Sequence, residues 1–414
     1  MGMIINIDEA LKNHSEYNIL KEPLNQMLKD QQEAWEKQNP IDLLFVRGTL
    51  DGFQETYNSS IGFSHAFAET SDYAVGPIFN THDGFTATYR SRTFQGGFII
   101  TQQVLEDRKM GSAKDTANAF LKRWHGDVVD YAMTAISGGF GKEVSWGDKA
   151  TGISKIKLVS ADTVDGDINN PVKNALFSNK HTIVKRDDAT EDYNFVAKTA
   201  VDTDTDCQSN MYYVDLDLTA DDAGKIAKLA DAINIVITEM ENYKDDNGKI
   251  TGVLGSKNIV APNDSRLKAA LNTALSMEML NDVGQMVGPN PAYKRATSDT
   301  TPYLNQIAQC KGGKGFFIVD KSYNASNHGP EFTERISLTL NVEKTKKPYG
   351  IEYDGRQRFD INAAAWRGIA YVHIGTPSGA SGAWDNISNF TKIEPISTVS
   401  KPVSVVNTVT TKAE

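Results

Sequence analysis

The sequence predicts an α+β fold, and three stretches carry that expectation. Residues 113–136 keep apolar side chains on a helical period, and residues 332–342 alternate apolar and polar as a strand does. Residues 85–104 place two alternating runs around Gly96-Gly97, the pattern of a hairpin. Composition supports a folded chain: hydrophobic residues are 40% of the 414, and 32 glycines are too few for a collagen-like repeat. The 43 basic and 53 acidic side chains leave a formal net charge of -10, with no long Lys/Arg block. That excludes the usual electrostatic footprint of a nucleic-acid binder. Cys207 and Cys310 are a distant pair that suits a reducing compartment better than a disulfide framework. Met1 to Leu11 lacks the basic flank and apolar run of a signal peptide, and no stretch approaches the roughly 18 apolar residues of a membrane span. A soluble protein made in a cytoplasm is expected.

Taken in order, residues 16–38 predict an arm helix, with Leu20, Leu24, Met27 or Leu28, Gln31 and Trp35 at three-to-four spacing. Pro23 fits its first turn, and Asn39-Pro40 stops it, because the residue before proline is pushed out of the helical region. Residues 41–80, broken by Gly48, Gly52, Gly62, Gly76 and Pro77, read as extended, irregular chain. In 85–104 the Gly96-Gly97 pair is the expected turn of a ribbon roughly 30 Å long. Ser112 with Asp115 predicts a capping box for the long helix, Gly138-Gly139 closes it, and Gly126 weakens its middle by about 1 kcal/mol. Short strands are expected at 153–159, 182–185 and 211–218. Thr219 is the expected cap of a helix over 220–243, Asp245 to Gly248 a turn, and 265–280 a third helix. Strands follow at 315–319 and 332–342, then strand, small-residue stretch and strand over 356–374. The Ser/Thr/Val-rich tail from Glu394 offers few core residues.

Motif searches return little chemistry. Lys311-Gly312-Gly313-Lys314 is followed by Gly315 and a strand, where a phosphate loop needs Ser or Thr and a helix. Asp202, Asp204 and Asp206 have the spacing of the front of a calcium loop, but Cys207 and Tyr213 stand where glycine and glutamate are required. A solvated acidic loop is the reading, with incidental divalent-ion binding left open. The seven histidines include no pair at the three- or four-residue spacing of a helical zinc site. No catalytic residue, cofactor or metal is assigned, and the chain is expected not to be an enzyme.

The order of elements is the informative feature: arm, hairpin, long helix, acidic mixed segment, then returning strands. It resembles the major capsid proteins of tailed bacteriophages, the Hong Kong 97-type capsid fold. The local likeness is strongest where Tyr353-Asp354-Gly355-Arg356 leads into Phe359-Asp360-Ile361, then Ala364-Ala365-Trp366-Arg367-Gly368-Ile369 and a last apolar strand over 370–374. The likeness covers about residues 80–375.

The resemblance implies an N-terminal arm (1–79), an extended hairpin loop (80–110), a peripheral domain with a spine helix (111–190), an axial domain (191–331), returning strands (332–393) and a tail (394–414). It implies self-assembly as hexamers and pentamers into an icosahedral shell enclosing double-stranded DNA, with a separate scaffolding protein and a portal as partners, no membrane, and a virion location. Phe85, Tyr89, Arg90, Arg92, Phe94, Phe98 and Trp124 are the candidate inter-subunit contacts, with Arg90 and Arg92 expected on one ribbon face, pairing with carboxylates of a neighbour. No lysine lies between Lys37 and Lys109, so no lysine cross-link is expected from this loop. Fewer than about eighty residues precede the hairpin, which leaves no room for a bulky fused scaffold. Two alternatives stand beside the shell reading: an encapsulin-type compartment, and, from another class, a divalent-metal hydrolase using the acidic 202–222 segment.

Overall fold

The computed structural model describes residues 3–7, 15–62, 82–107, 109–148, 152–158, 175–182, 207–219, 224–244, 250–282, 285–346 and 349–394. In chain order these form β1 (Ile4–Ile7), α1 (Ser15–Lys37), β2 (Val46–Thr49), β3 (Gln54–Gly62), β4 (His82–Arg90), β5 (Arg92–Thr101), α2 (Gln102–Glu106) and α3 (Met110–Gly138). There follow β6 (Val144–Asp148), β7 (Gly152–Ile156), β8 (His181–Thr182), β9 (Cys207–Gln208), β10 (Met211–Val214), α4 (Lys225–Glu241), β11 (Lys257–Pro262) and α5 (Ser265–Ser276). The chain ends with β12 (Met279–Asp282), β13 (Gln285–Pro289), β14 (Ala296–Thr301), β15 (Gly315–Asp320), α6 (Lys321–Asn327), β16 (Glu331–Lys346), β17 (Tyr349–Asn362), β18 (Ile369–Ile374) and β19 (Thr391–Ile393). The α+β class holds.

Two sheets organise the protein. The first runs β1-β16-β17-β5, with β2 beside the start of β16. Its long strands alternate: Tyr353, Gly355, Gln357 and Phe359 of β17 are buried while Asp354 and Arg356 are exposed. The inward face packs on α3, whose Ala113, Ala117 and Leu121 join Leu338, Leu340, Val342, Ile351 and Tyr353 in one apolar cluster, and Leu24 and Leu28 of α1 complete it. The second sheet, β14-β11-β15-β18-β10-β19, carries α4 and α5. Every residue of β15 is buried, the signature of a central strand covered on both faces.

The structure corrects several local expectations. Gly96 and Gly97 are not a turn. They lie in the middle of β5, paired with Gly355 and Asp354 of β17. A Cβ on Gly97 would sit 2.6 Å from the Tyr353 carbonyl oxygen, while Gly96 and Gly355 face α3, where Trp124 and Phe120 press on the sheet. Glycine here serves close approach rather than chain reversal. The hairpin instead has β3 and β4 as its legs, paired from Gln54↔Arg90 to Gly62↔His82.

Ser112 is not a cap, because α3 begins at Met110 after Lys109 and Ser112 lies inside it, its carbonyl accepting from Thr116 Oγ1 at 2.9 Å. The helix runs unbroken through Gly126. Thr219 does not cap α4, which starts at Lys225; its N–H and hydroxyl donate instead to Asp217. The third helix stops at Ser276, and Leu280 belongs to β12. Asp202, Asp204, Asp206, Asp221 and Asp222, the turn 245–248 and the tail after Glu394 lie outside the described residues.

Candidate assembly surfaces

The β3–β4 ribbon leaves the first sheet at Ser91, the one residue between β4 and β5, and its root is fixed by aromatic and charged side chains. The Phe53 ring lies under two guanidinium groups, 4.8 Å from Arg90 and 5.6 Å from Arg358. Arg358 also donates to Ser91 Oγ at 3.3 Å. On the other side of the root, Tyr57 packs on Tyr89 at 4.8 Å and on His328 at 4.2 Å. Its hydroxyl donates to Glu55 Oε2 at 2.7 Å, and Glu55 in turn accepts from the N–H groups of Asp51 and Gly52. Burial, followed by that carboxylate, pushes the Tyr57 phenol up to about 12, so it remains a donor throughout the physiological range. Burial also raises the Glu331 carboxyl, opposed by His328, whose Nδ1 is 3.1 Å away.

Most residues singled out from the sequence have partners within this chain. Tyr89 is buried. Phe94 stacks on Phe359 at 4.3 Å and meets Tyr131 edge-on, and Phe98 lies flat on Tyr353 at 4.8 Å. Trp124 donates its indole N–H to Gln357 Oε1 at 2.8 Å. Arg92 reaches the buried Asp360 at 3.5 Å and donates to the Lys155 carbonyl at 3.3 Å. Burial raises the Asp360 carboxyl, and Asn362 and Arg92 pull against it. Arg90 is exposed apart from its contact with Phe53. The backbone of Phe85 is in β4; its side chain lies outside the described residues.

Phe53, Tyr57, Arg335 and Arg358 went unread in the sequence, and Arg356 was read only as part of the returning strand, so Arg356 and Arg358 were not read together. The signal for pairing Arg356 with Arg358 was available: two arginines at period two in a strand share a face.

The arm is tied down at two places. β1 adds to the first sheet parallel to residues 339–342 of β16. Farther on, α1 crosses α3, where Trp35 stacks on His125 at 4.2 Å and Gln32 Oε1 accepts from His125 Nε2 at 2.8 Å. Gln31 and Asn118 pair about two turns earlier along α3. Burial pushes the His125 imidazole down to about 4, only partly opposed by Glu36, so the ring is neutral at pH 7.

A cleft of about 620 Å³ lies between the end of α1 and the second sheet, with Trp35, Asn39, Thr301, Tyr303 and Lys321 among its walls. Among the described residues no group of three or more His, Cys, Asp or Glu is placed to hold a metal ion. No helix among them is long and apolar enough to cross a membrane.

No family model and no curated protein matches this chain. Solved structures similar to it include a virus-like particle from Pyrococcus furiosus, at 9% identity and a TM-score of 0.42, covering 85% of this chain and 99% of that one. The procapsid of satellite phage P4 with its size determination protein is similar at 13% identity and a TM-score of 0.40, over 84% and 90% of the two chains. A structure of Mycobacterium phage Patience is similar at 12% identity and a TM-score of 0.42, over 93% and 94%.

Proposed function

We propose that this chain is the major shell subunit of a tailed phage or prophage, assembling as hexamers and pentamers around double-stranded DNA. The β3–β4 ribbon carries the reading. Among the described residues its two strands pair only with each other. A two-stranded ribbon is marginal in water, and ordering it costs backbone entropy that a neighbouring copy can repay by burying it.

Around the ribbon, the first sheet with α1 and α3 supplies the peripheral unit, and the six-stranded sheet with α4 and α5 the axial unit. A formal charge of -10 suits a wall that encloses DNA without gripping it. A scaffolding protein and a portal complete the proposed assembly.

Negative-stain microscopy of the protein expressed with and without neighbouring phage genes tests the proposal. Shells or hexamer-like rings are the expected result, and a small monomer at every concentration refutes it. Packaged DNA in the particles fits a phage head, whereas packaged protein places the chain among compartment shells.

A further inference from the structure

The cleft between the end of α1 and the second sheet carries polar groups that the fold leaves unused. Two short 3₁₀ turns line it, Pro40–Leu43 after Asn39 and Pro302–Gln306 after Thr301. Asn39 caps its turn by accepting from the Ile41 N–H at 3.0 Å through Oδ1, which sets the orientation of its amide and leaves Nδ2 a donor without an acceptor. Thr301 holds the same position before its own turn but makes no capping bond, and its Oγ1 has no hydrogen-bond partner. The two residues are 6% and 2% exposed, and polar atoms buried to that degree are nearly always paired with protein, water or a ligand.

The remaining wall is cationic and aromatic. Lys37 and Lys321 are exposed, and among the described residues their ammonium groups make no ion pair or hydrogen bond. Asp42 is the one carboxylate among the residues that line the cleft, and Arg47 neutralises it, donating at 2.6 Å. The cleft is therefore locally positive in a chain whose formal net charge is -10. Trp35 and Tyr303, both half-buried, supply aromatic surface, with His125 stacked on one face of the Trp35 ring at 4.2 Å. The volume of about 620 Å³ suits one small ligand.

Lysine heads bind phosphate as point charges, aromatic walls stack a planar ring, and an amide and a hydroxyl donate to acceptor atoms on a base edge or sugar. We propose that this cleft binds a nucleotide. Its base lies against Trp35 and Tyr303, its phosphate sits between Lys37 and Lys321, and its polar edge accepts from Asn39 Nδ2 and Thr301 Oγ1 as those side chains ease toward the cleft. The paired, stacked bases of a duplex cannot enter, so the ligand is a free nucleotide or an unpaired nucleotide of a strand. All of these residues belong to one copy, so the site goes beyond the shell reading and does not depend on it.

Calorimetric titration of the full chain tests the site, with dAMP, deoxyadenosine, inorganic phosphate and a short oligodeoxyadenylate as probes. Binding of dAMP is expected, with deoxyadenosine and phosphate each weaker by about tenfold or more. Tighter binding of the oligonucleotide assigns the site to a strand, and tighter binding of dAMP to the free nucleotide; either supports the proposal. Lys37→Glu with Lys321→Glu, at two exposed positions, should weaken dAMP on the order of tenfold or more while leaving the thermal midpoint in place. Thr301→Val separates a binding group from a packing defect: losing an unpaired buried hydroxyl should hold or raise the thermal midpoint of the free protein, and in a site it also weakens dAMP several-fold. No binding of dAMP at millimolar concentration, phosphate binding as tightly as dAMP, or dAMP affinity unmoved by these variants overturns the proposal. None of these outcomes bears on shell assembly.

Discussion

Replacing Lys257 by methionine should be among the most damaging single changes in the six-stranded sheet. Lys257 and Asp320 are 2% and 0% exposed and lie 2.8 Å apart across adjacent strands β11 and β15. The ammonium also donates to the carbonyls of Val253 at 2.6 Å and Gly255 at 2.8 Å. On the other oxygen, Asp320 accepts from Ser322 Oγ at 2.6 Å and from the Tyr323 N–H at 3.0 Å, capping α6. Methionine fills the stem but leaves a buried carboxylate and two carbonyls without their donor, which costs roughly 4 kcal/mol at neutral pH. The double variant Lys257→Met with Asp320→Asn removes the stranded charge and should recover about half of that.

The loss has a pH signature. Burial alone pushes the Asp320 carboxyl up, but Lys257, Ser322 and Tyr323 together hold it below its ordinary value. In the unaltered protein this pair therefore contributes stability that is present at neutral pH and lost on acidification through the depressed value. Without Lys257 burial dominates, the carboxyl rises, and protonating it relieves the strain. The difference between the two proteins is thus largest at pH 7 and shrinks toward pH ~4. Urea unfolding of dispersed subunits, followed by the fluorescence of the fully buried Trp366, measures it. A difference below about 1 kcal/mol at pH 7, or one that does not shrink on acidification, refutes this reasoning.

Three further outcomes are expected. His125 is neutral in the fold with its value pushed to about 4 from 6.5, so stability falls as pH drops from 6.5 toward 4 and is flat below. The fall should be about 2 kcal/mol between pH 7 and 5, and His125→Gln should remove that share of the slope in urea titrations, leaving the part due to His373, also held at about 4. Gly97→Ala should destabilise by roughly 1–3 kcal/mol because its Cβ meets the Tyr353 carbonyl oxygen at 2.6 Å, whereas Gly126→Ala, with nothing within 4 Å, should stabilise by about 0.5–1 kcal/mol; thermal melts read both. Purified particles boiled in detergent should run as single chains on a gel, since residues 38–108 contain no lysine to weld the loop to a neighbour.

Local signals in the sequence located the elements whose buried face is written in their own periodicity. The period of Leu24, Leu28 and Trp35 marks α1, that of Ala117, Leu121, Val128 and Ala132 marks α3, and the alternation of Leu338, Leu340 and Val342 marks β16. What depends on distant partners was not legible. Gly96-Gly97 reads locally as a turn, and only β17, some 250 residues later in the chain, makes it a strand that needs glycine for close approach.

Residues 54–62 are polar apart from Tyr57 and Ile61, so no apolar alternation marks a strand there, and its partner β4 lies across a long intervening segment. Helix starts moved for the same reason: Ser112 and Thr219 are good caps by residue type, but tertiary packing set the ends of α3 and α4 elsewhere. The arginine face was visible in part, since Arg356 and Arg358 share a strand face by spacing. Arg335 joins them only through a slip in the β16–β17 pairing that no sequence rule places.

The most direct test of the shell account is a cryo-electron microscopy map of purified particles in which residues 54–90 can be traced. The account predicts a closed shell in which this ribbon, rooted at Ser91, crosses onto an adjacent subunit. Particles whose ribbon folds back on its own subunit, or a protein that remains a dispersed monomer under every assembly condition, contradict it.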